Sequence, residues 1–476
     1  MNKSRFMKTS FILMLAGLFL LSACSSKSNQ GAASSSAAPS APSAASASGS
    51  ASPPSGEKVT LNGVFLGATW GQATQELAKE YEKETGVKVN IELVGRDVIY
   101  QKLALAIAGQ ANYDLFNVDY NWIPEFASTN SLLPLDDLIK KYNVDTSAYL
   151  PRALALTQWN GKNGSFGEGG TIYGLPQTIH PHLLWYRADL FNDEKNKADF
   201  KAKYGYDLAP PKTMAQFKDA AEFFTGRAVD GQKMYGWAAQ ATKGFGNVHT
   251  WLSFLYSNGA DVIDWNTMKS SLSTPQAIEA TKTWADLLKY SPPGINDYTF
   301  AEVASDASQG KIAMAIHWSW SAFEVDDPKT SKTVGKWEFA QIPAMKESIP
   351  HLAGWSIVIP KTSKNAEEAF KFMTWLESKQ NDVKQAAMGG GDPVRTESYN
   401  DPALTGAKIE GTDVLRFRRY QALAEAMKTT KARPFFPQEE KWESTVSEYL
   451  SAIQLGRMSV EDALKKADEA VDQMLK

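Results

Sequence analysis

Trp70, Trp122, Trp318 and Trp355 each stand beside small or polar residues instead of inside an apolar run, as in Thr69-Trp70-Gly71, Asn121-Trp122, His317-Trp318-Ser319 and Gly354-Trp355-Ser356. A flat indole that no core requires is suited to stacking on the C–H face of a sugar ring, whose hydroxyls both donate and accept hydrogen bonds. Such a ligand asks for aromatic platforms with a few fixed polar groups between them. Asp119, Asp392 and Arg395 are the candidates for that polar part. His180 and His182, two apart in an extended stretch, project to one side, and His317 is a third imidazole able to approach them. Three imidazoles can make a zinc site. Neutral imidazoles holding hydroxyls are the reading adopted here, with no metal and no cofactor expected. A glycoside-cleaving site would need two facing carboxylates roughly 5–10 Å apart, and no acidic pair is marked out for that role, so no catalytic residue is expected.

Other aromatics read as packing. Trp284 recurs with Ile278, Leu287 and Leu288 on one helical face, and Trp375 sits among Phe370, Phe372 and Leu376. Two alternatives stay open at this level. Trp122 can serve as cover for a sheet edge, and Arg395 can pair with Asp392 as a structural clamp on its turn. Gly389-Gly390-Gly391 lacks the Lys-Ser/Thr of a phosphate loop and reads as a turn.

The elements that must position these residues begin with a strand at Val59–Leu66. A helix follows, with Ala73, Leu77 and Tyr81 on one face and a stop at Gly86. Val87, Val89, Ile91 and Leu93 alternate as a second strand. A helix through Ile99, Leu103 and Ala106 then leads to a third strand at Leu115–Val118. Alternating strands and helices predict an α/β fold with a mainly parallel sheet flanked by helices. Ligands bind such sheets outside the carboxyl ends of the strands, which is where Trp70 and the Asp119-Tyr120-Asn121-Trp122 run fall.

Lys3, Arg5 and Lys8 precede the unbroken apolar run Phe11–Leu21, the pattern of an export signal and too short to span a bilayer as a permanent helix. Leu21-Ser22-Ala23-Cys24 resembles a bacterial lipobox. That implies a signal peptide over 1–23 and a lipid on Cys24, which would hold the protein to the outer face of the cell membrane. Cys24 is the only cysteine, so no intrachain disulfide forms. Residues 24–56 are almost wholly Ser, Ala, Pro and Gly and cannot bury enough apolar surface to fold, so they predict a flexible tether with a reach of about 30 Å. The remaining body, residues 57–476, is long enough for two or more lobes. Its net charge is negative, which argues against a nucleic-acid partner.

Several stretches carry a resemblance. "YDLFNVDYNWIPEFASTNSLLPLDDLI" from Tyr113, "TIYGLPQTIHPHLLWYRADLF" from Thr171, "GKIAMAIHWSW" from Gly310, "GWSIVIPKTSKNAEEAFKFMTWL" from Gly354 and "GGGDPVR" from Gly389 occur in the order found in family 1 extracellular solute-binding proteins. These are the maltose-binding-protein-like receptors of sugar ABC importers. The resemblance implies a two-lobed periplasmic-binding-protein-like fold (type II) joined by a hinge, with an N-lobe of 57–180 and 310–354 and a C-lobe of 181–309 and 355–476. It implies a monomer that traps a carbohydrate, expected to be an oligosaccharide, in an interlobe cleft, performs no catalysis and delivers to an ABC permease. A sensory receptor docking on a membrane kinase would share the same sequence. Position in the family adds Tyr120, His180, His182, Trp251 and Trp442 to the ligand-binding candidates. The chain departs from the pattern in the Gly-rich loop Asn160–Gly170, in His180-Pro181-His182 and in His317, where relatives carry Asn or Gly.

Overall fold

Thr60–Leu66 forms strand β1, and Gly86, at φ 78°, ends the helix α1 (Thr69–Thr85) that follows it. The computed structural model describes residues 59–164 and 166–476. The signal segment, Cys24 and the tether lie outside the described residues. Trp70, Ala73, Leu77 and Tyr81 make the buried face of α1. A Cβ on Gly71 would meet the Leu66 carbonyl oxygen at 2.0 Å, so the glycine allows α1 to start against the end of β1 and sets Trp70 at the carboxyl edge of the sheet. β2 (Lys88–Val94), α2 (Arg96–Ile107) and β3 (Leu115–Asp119) complete a unit in which β1 pairs in parallel with both neighbours, as the spacing predicts.

β4 (Gly174–Arg187) is the strand on which the molecule turns. After it come β5 (Tyr235–Ala238), α3 (Phe245–Ser257), α4 (Pro275–Leu287), α5 (Phe300–Ser308), β6 (Ile312–Trp318) and β7 (Trp337–Ala340). β8 (His351–Val358), α6 (Ala366–Leu376), β9 (Lys431–Ala432) and α7 (Glu439–Gln454) follow. The nine strands share one sheet, ordered β2-β1-β3-β8-β4-β6-β5, with β7 on β4 and β9 on β8. From Gly174 to Pro181, β4 pairs antiparallel with β8; from His182 onward it pairs antiparallel with β6. The strand thus changes partner between Pro181 and His182.

Apolar packing divides at the same point. Phe65, Leu77, Phe116, Ile357 and Phe370 belong to one core. Leu184, Trp237, Trp251 and Trp284 belong to a second, and Trp185, Val303 and Trp337 to a third beside it. This packing corrects the expected lobe boundaries. Ile312–Ile316 of β6, within 310–354, pack with the second and third cores because their partner is the far part of β4, while Trp318 at the strand's end joins the first core. Most of β8 and all of α6 pack with the first core, because β8 is held between β3 and the near part of β4. The chain crosses once more at Phe435 and Phe436, which belong to the first and second cores respectively. Trp284 is wholly buried, as its helical pattern predicts, and Trp375 packs at the edge of the first core, donating to Glu84 at 2.8 Å. Among the described residues no helix is long and apolar enough to cross a membrane.

Candidate ligand-binding cleft

Between the two parts of the sheet lies a cleft of about 1190 Å³. Of the residues singled out by sequence, the structure brings Trp70, Asp119, His180, Trp318 and Trp355 to its walls. Trp70, Asp119 and Trp318 stand at or just beyond the carboxyl ends of sheet strands, where strand order predicts a ligand; His180 and Trp355 lie inside β4 and β8, close to where β4 changes partner. Trp70 is the hub of an aromatic surface: its ring is 6.0 Å from Trp355, 5.4 Å from His180 and 5.2 Å, edge-on, from Trp320. Trp320 continues the surface to Phe300 at 5.7 Å.

Polar groups are fixed among these rings. Trp70 donates its indole N–H to Asn117 Oδ1 at 3.1 Å, and His180 Nδ1 lies 3.3 Å from Thr178 Oγ1. Burial drives the His180 pKa down to about 3, so the imidazole is neutral. Asp119 is buried, which pushes its carboxyl up, but Arg433 and Arg96 outweigh burial and hold it below the usual carboxylate range. Arg96 donates to Asp119 at 3.2 Å and to Glu440, while its guanidinium lies 4.9 Å over Trp122.

The other candidates are placed elsewhere. Tyr120 is packed on Phe435 and donates its hydroxyl to the Leu352 carbonyl at 2.9 Å. Trp122 donates to Glu440 and braces Trp355 from behind, 6.2 Å away edge-on, because the short 3-10 helix Tyr120–Trp122 turns both rings inward. His182 is buried behind Trp318, 4.0 Å from its ring, with Nδ1 2.9 Å from Ser253 Oγ. His317 lies against Trp185 at 5.0 Å, because strand alternation puts it on the opposite face of β6 from Trp318. That separates it from the other two histidines proposed as a set, and among the described residues no group of three His, Cys, Asp or Glu is arranged to hold a metal. Trp251 and Trp442 are core residues of the second half; Trp251 donates to Thr281 Oγ1 at 2.8 Å. Asp392 is paired with Arg419 at 2.8 Å, not with Arg395. Arg395 pairs with Glu397 at 3.3 Å and lies 5.1 Å over Tyr149. The alternative clamp between Asp392 and Arg395 is therefore replaced by two separate pairs.

Cleft residues that sequence reasoning missed include Arg96, His249, Phe300 and Trp320. Arg96 follows the carboxyl end of β2, so the rule that selected Trp70 would have found it. Trp320 stands two residues after Trp318 in the same His-Trp-Ser-Trp run. His249 lies within α3, whose residues are nearly all buried, and no local pattern marks which of them faces a cavity.

The sequence pattern of the family described as bacterial extracellular solute-binding protein matches residues 67–383. The chain belongs to this family. As a solute-binding protein it has the two-lobed, type II periplasmic arrangement, with β4 common to both lobes and the cleft between them. It is similar to a putative binding protein of Brucella abortus, 26% identical over 432 residues, covering 90% of this chain and 95% of that one. It is also similar to a maltooligosaccharide ABC transporter solute-binding lipoprotein of Streptococcus pneumoniae, 26% identical over 391 residues, covering 78% of this chain and 77% of the relative. A solved solute-binding protein of Agrobacterium radiobacter K84 in complex with ribitol shares the fold, with a TM-score of 0.74, 22% identity and coverage of 87% of this chain and 98% of that one.

Proposed function

We propose that this solute-binding protein captures a sugar or polyol in the cleft and delivers it to the permease of an ABC importer. The observation that carries the reading is the joined aromatic surface of Trp70, Trp320 and Trp355 beside Asp119 and His180. It supplies apolar faces for C–H stacking and fixed polar groups for hydroxyls in one place. A cleft of about 1190 Å³ has room for several sugar rings, which favours an oligosaccharide over a monosaccharide. The similarity to a maltooligosaccharide-binding lipoprotein and to a ribitol complex supports the same range. Cys24 is proposed as the lipid anchor that keeps the receptor, as a monomer, at the outer face of the bacterial membrane.

Thermal-shift and calorimetric titration against mono-, di- and oligosaccharides, polyols and uronates tests the ligand class. A ligand at 100 times its Kd stabilises by about 2.7 kcal/mol, and affinity near micromolar, about −8 kcal/mol, is expected for the native solute. Stabilisation by none of the panel overturns the sugar or polyol reading. Cys24→Ser is expected to abolish uptake of labelled fatty acid; continued labelling rules out the anchor.

A further inference from the structure

The 3-10 helix Trp320–Asp326 leads out of β6 along the cleft wall. Trp320 and Phe323, 6.5 Å apart, add their rings to that wall. Val325 turns the other way into the third core, and Asp326 is buried and paired with Arg418 at 2.7 Å. Glu324, between them, is half-buried and lines the cleft. Its place is fixed twice: Ser308 Oγ donates to its carbonyl at 3.2 Å, and Ser321 Oγ donates to its Oε1 at 2.7 Å. Oε2 has no partner among the described residues and, unlike both carboxylate oxygens of the buried Glu377, is not shielded from solvent.

Asp119, the other acid withdrawn from water at the cleft, is paired with Arg433 and Arg96. Glu324 has no such cation among the described residues. Burial raises its carboxyl above the usual range, opposed by the Ser321 hydroxyl. An ionised carboxyl can only accept, so one oxygen, half removed from water and open to the cleft, is left in want of a donor. The charge around it has one prevailing sign. Asp97, Asp119, Glu324 and Asp327 line the cleft against one basic side chain, Arg96, which is already held by Asp119 and Glu440. A carboxylate carried by a ligand would meet like charge there.

We infer that Glu324 is a specificity-determining residue: its open oxygen accepts a hydrogen bond from a ligand hydroxyl, and its charge turns anionic solutes away. The inference rests on the sugar or polyol reading and deepens it: the solute is neutral, not a uronate or an aldonate.

Calorimetry at neutral pH tests it first on the parent protein, with two pairs of probes. Ribitol is compared with ribonate, and maltotriose with the same trisaccharide oxidised at its terminal C6 to a uronate. In whichever pair binds, the neutral member is expected to be at least about tenfold tighter. An acid bound as tightly as its neutral counterpart, or more tightly, overturns the inference and leaves the sugar or polyol reading standing. Glu324→Gln then keeps the shape and removes the charge. It is expected to weaken binding of the neutral probe about tenfold and to narrow the preference over the acid. Unchanged affinity, or lower affinity with the preference intact, overturns the role of Glu324. A parent protein that binds neither pair removes this inference and counts against the sugar or polyol reading, which the wider panel then decides.

Discussion

The ring of Trp318 lies 4.0 Å from that of His182, closer than any other aromatic pair among the described residues. His180, His249 and His351 surround the same indole at 6.0, 5.4 and 5.7 Å. Trp318 is thus a cleft wall with imidazole packing behind it, where sequence alone suggests a free platform. Trp318→Ala is expected to weaken sugar affinity at least about tenfold and also to lower stability, because a void opens beside His182. Trp284→Ala should cost about 3–5 kcal/mol of stability with near-normal affinity in the folded fraction. Calorimetry and urea melts on both variants decide it; normal binding by Trp318→Ala would move the site elsewhere.

Arg433 is wholly buried and contacts Asp119, Glu439 and Glu443. Removing its charge leaves acidic groups from both lobes facing one another without compensation. Arg433→Met is expected to destabilise by about 3–5 kcal/mol, the range for breaking a buried ion pair from one side. A denaturation midpoint within error of the parent would show that the acids take up protons or water at little cost.

His317 offers a pH experiment, since it is wholly buried against Trp185 and does not line the cleft. Burial lowers its pKa to about 3. The folded protein therefore binds fewer protons at this position than the unfolded chain, and stability falls as pH drops from about 6.5 toward about 3. His317→Leu removes that dependence. Between pH 6 and 4 the parent should lose about 2–3 kcal/mol relative to the variant, read from urea midpoints at each pH. Parallel curves would mean that His317 is not buried neutral.

The change of partner along β4 between Pro181 and His182 gives the lobes a common axis. Ligand-driven closure about it is expected, as in hinged receptors generally. Solution scattering on residues 57–476 should show a smaller radius of gyration at saturating maltotriose or ribitol, whichever binds. An unchanged radius in a protein shown by calorimetry to be saturated would exclude the hinge motion.

How far the sequence could be read follows from what each prediction used. The β-α-β-α-β opening was legible because apolar spacing and Gly86 act locally. Trp70 and Asp119 were legible because strand ends in an α/β sheet face the ligand side. Trp122 and Tyr120 were not, because a single 3-10 turn decides which way their rings point. Trp251 and Trp442 lie on helices whose inward faces are set by the second core, far away in sequence. The partner of Asp392 is Arg419, 27 positions on, and no local pattern prefers it to Arg395. The lobe boundaries failed for a related reason: β6 and β8 are assigned by which stretch of β4 each one meets.

β4 also acts as a reading frame for the molecule. His180 and His182 share a face because one residue separates them, and the same parity fixes which side chains of Leu183–Arg187 enter the second and third cores. A single-residue deletion at Leu183 would invert the side chains beyond it and turn Leu184 out of its core, while a two-residue change would keep the faces. Before Pro181 the strand already carries one extra residue, Gln177, opposite the step from Trp355 to Ser356, and that bulge can absorb a single change. Beyond Pro181 the parity of β4 therefore decides which core each side chain enters, whereas the bulge at Gln177 uncouples the part paired with β8 from that count.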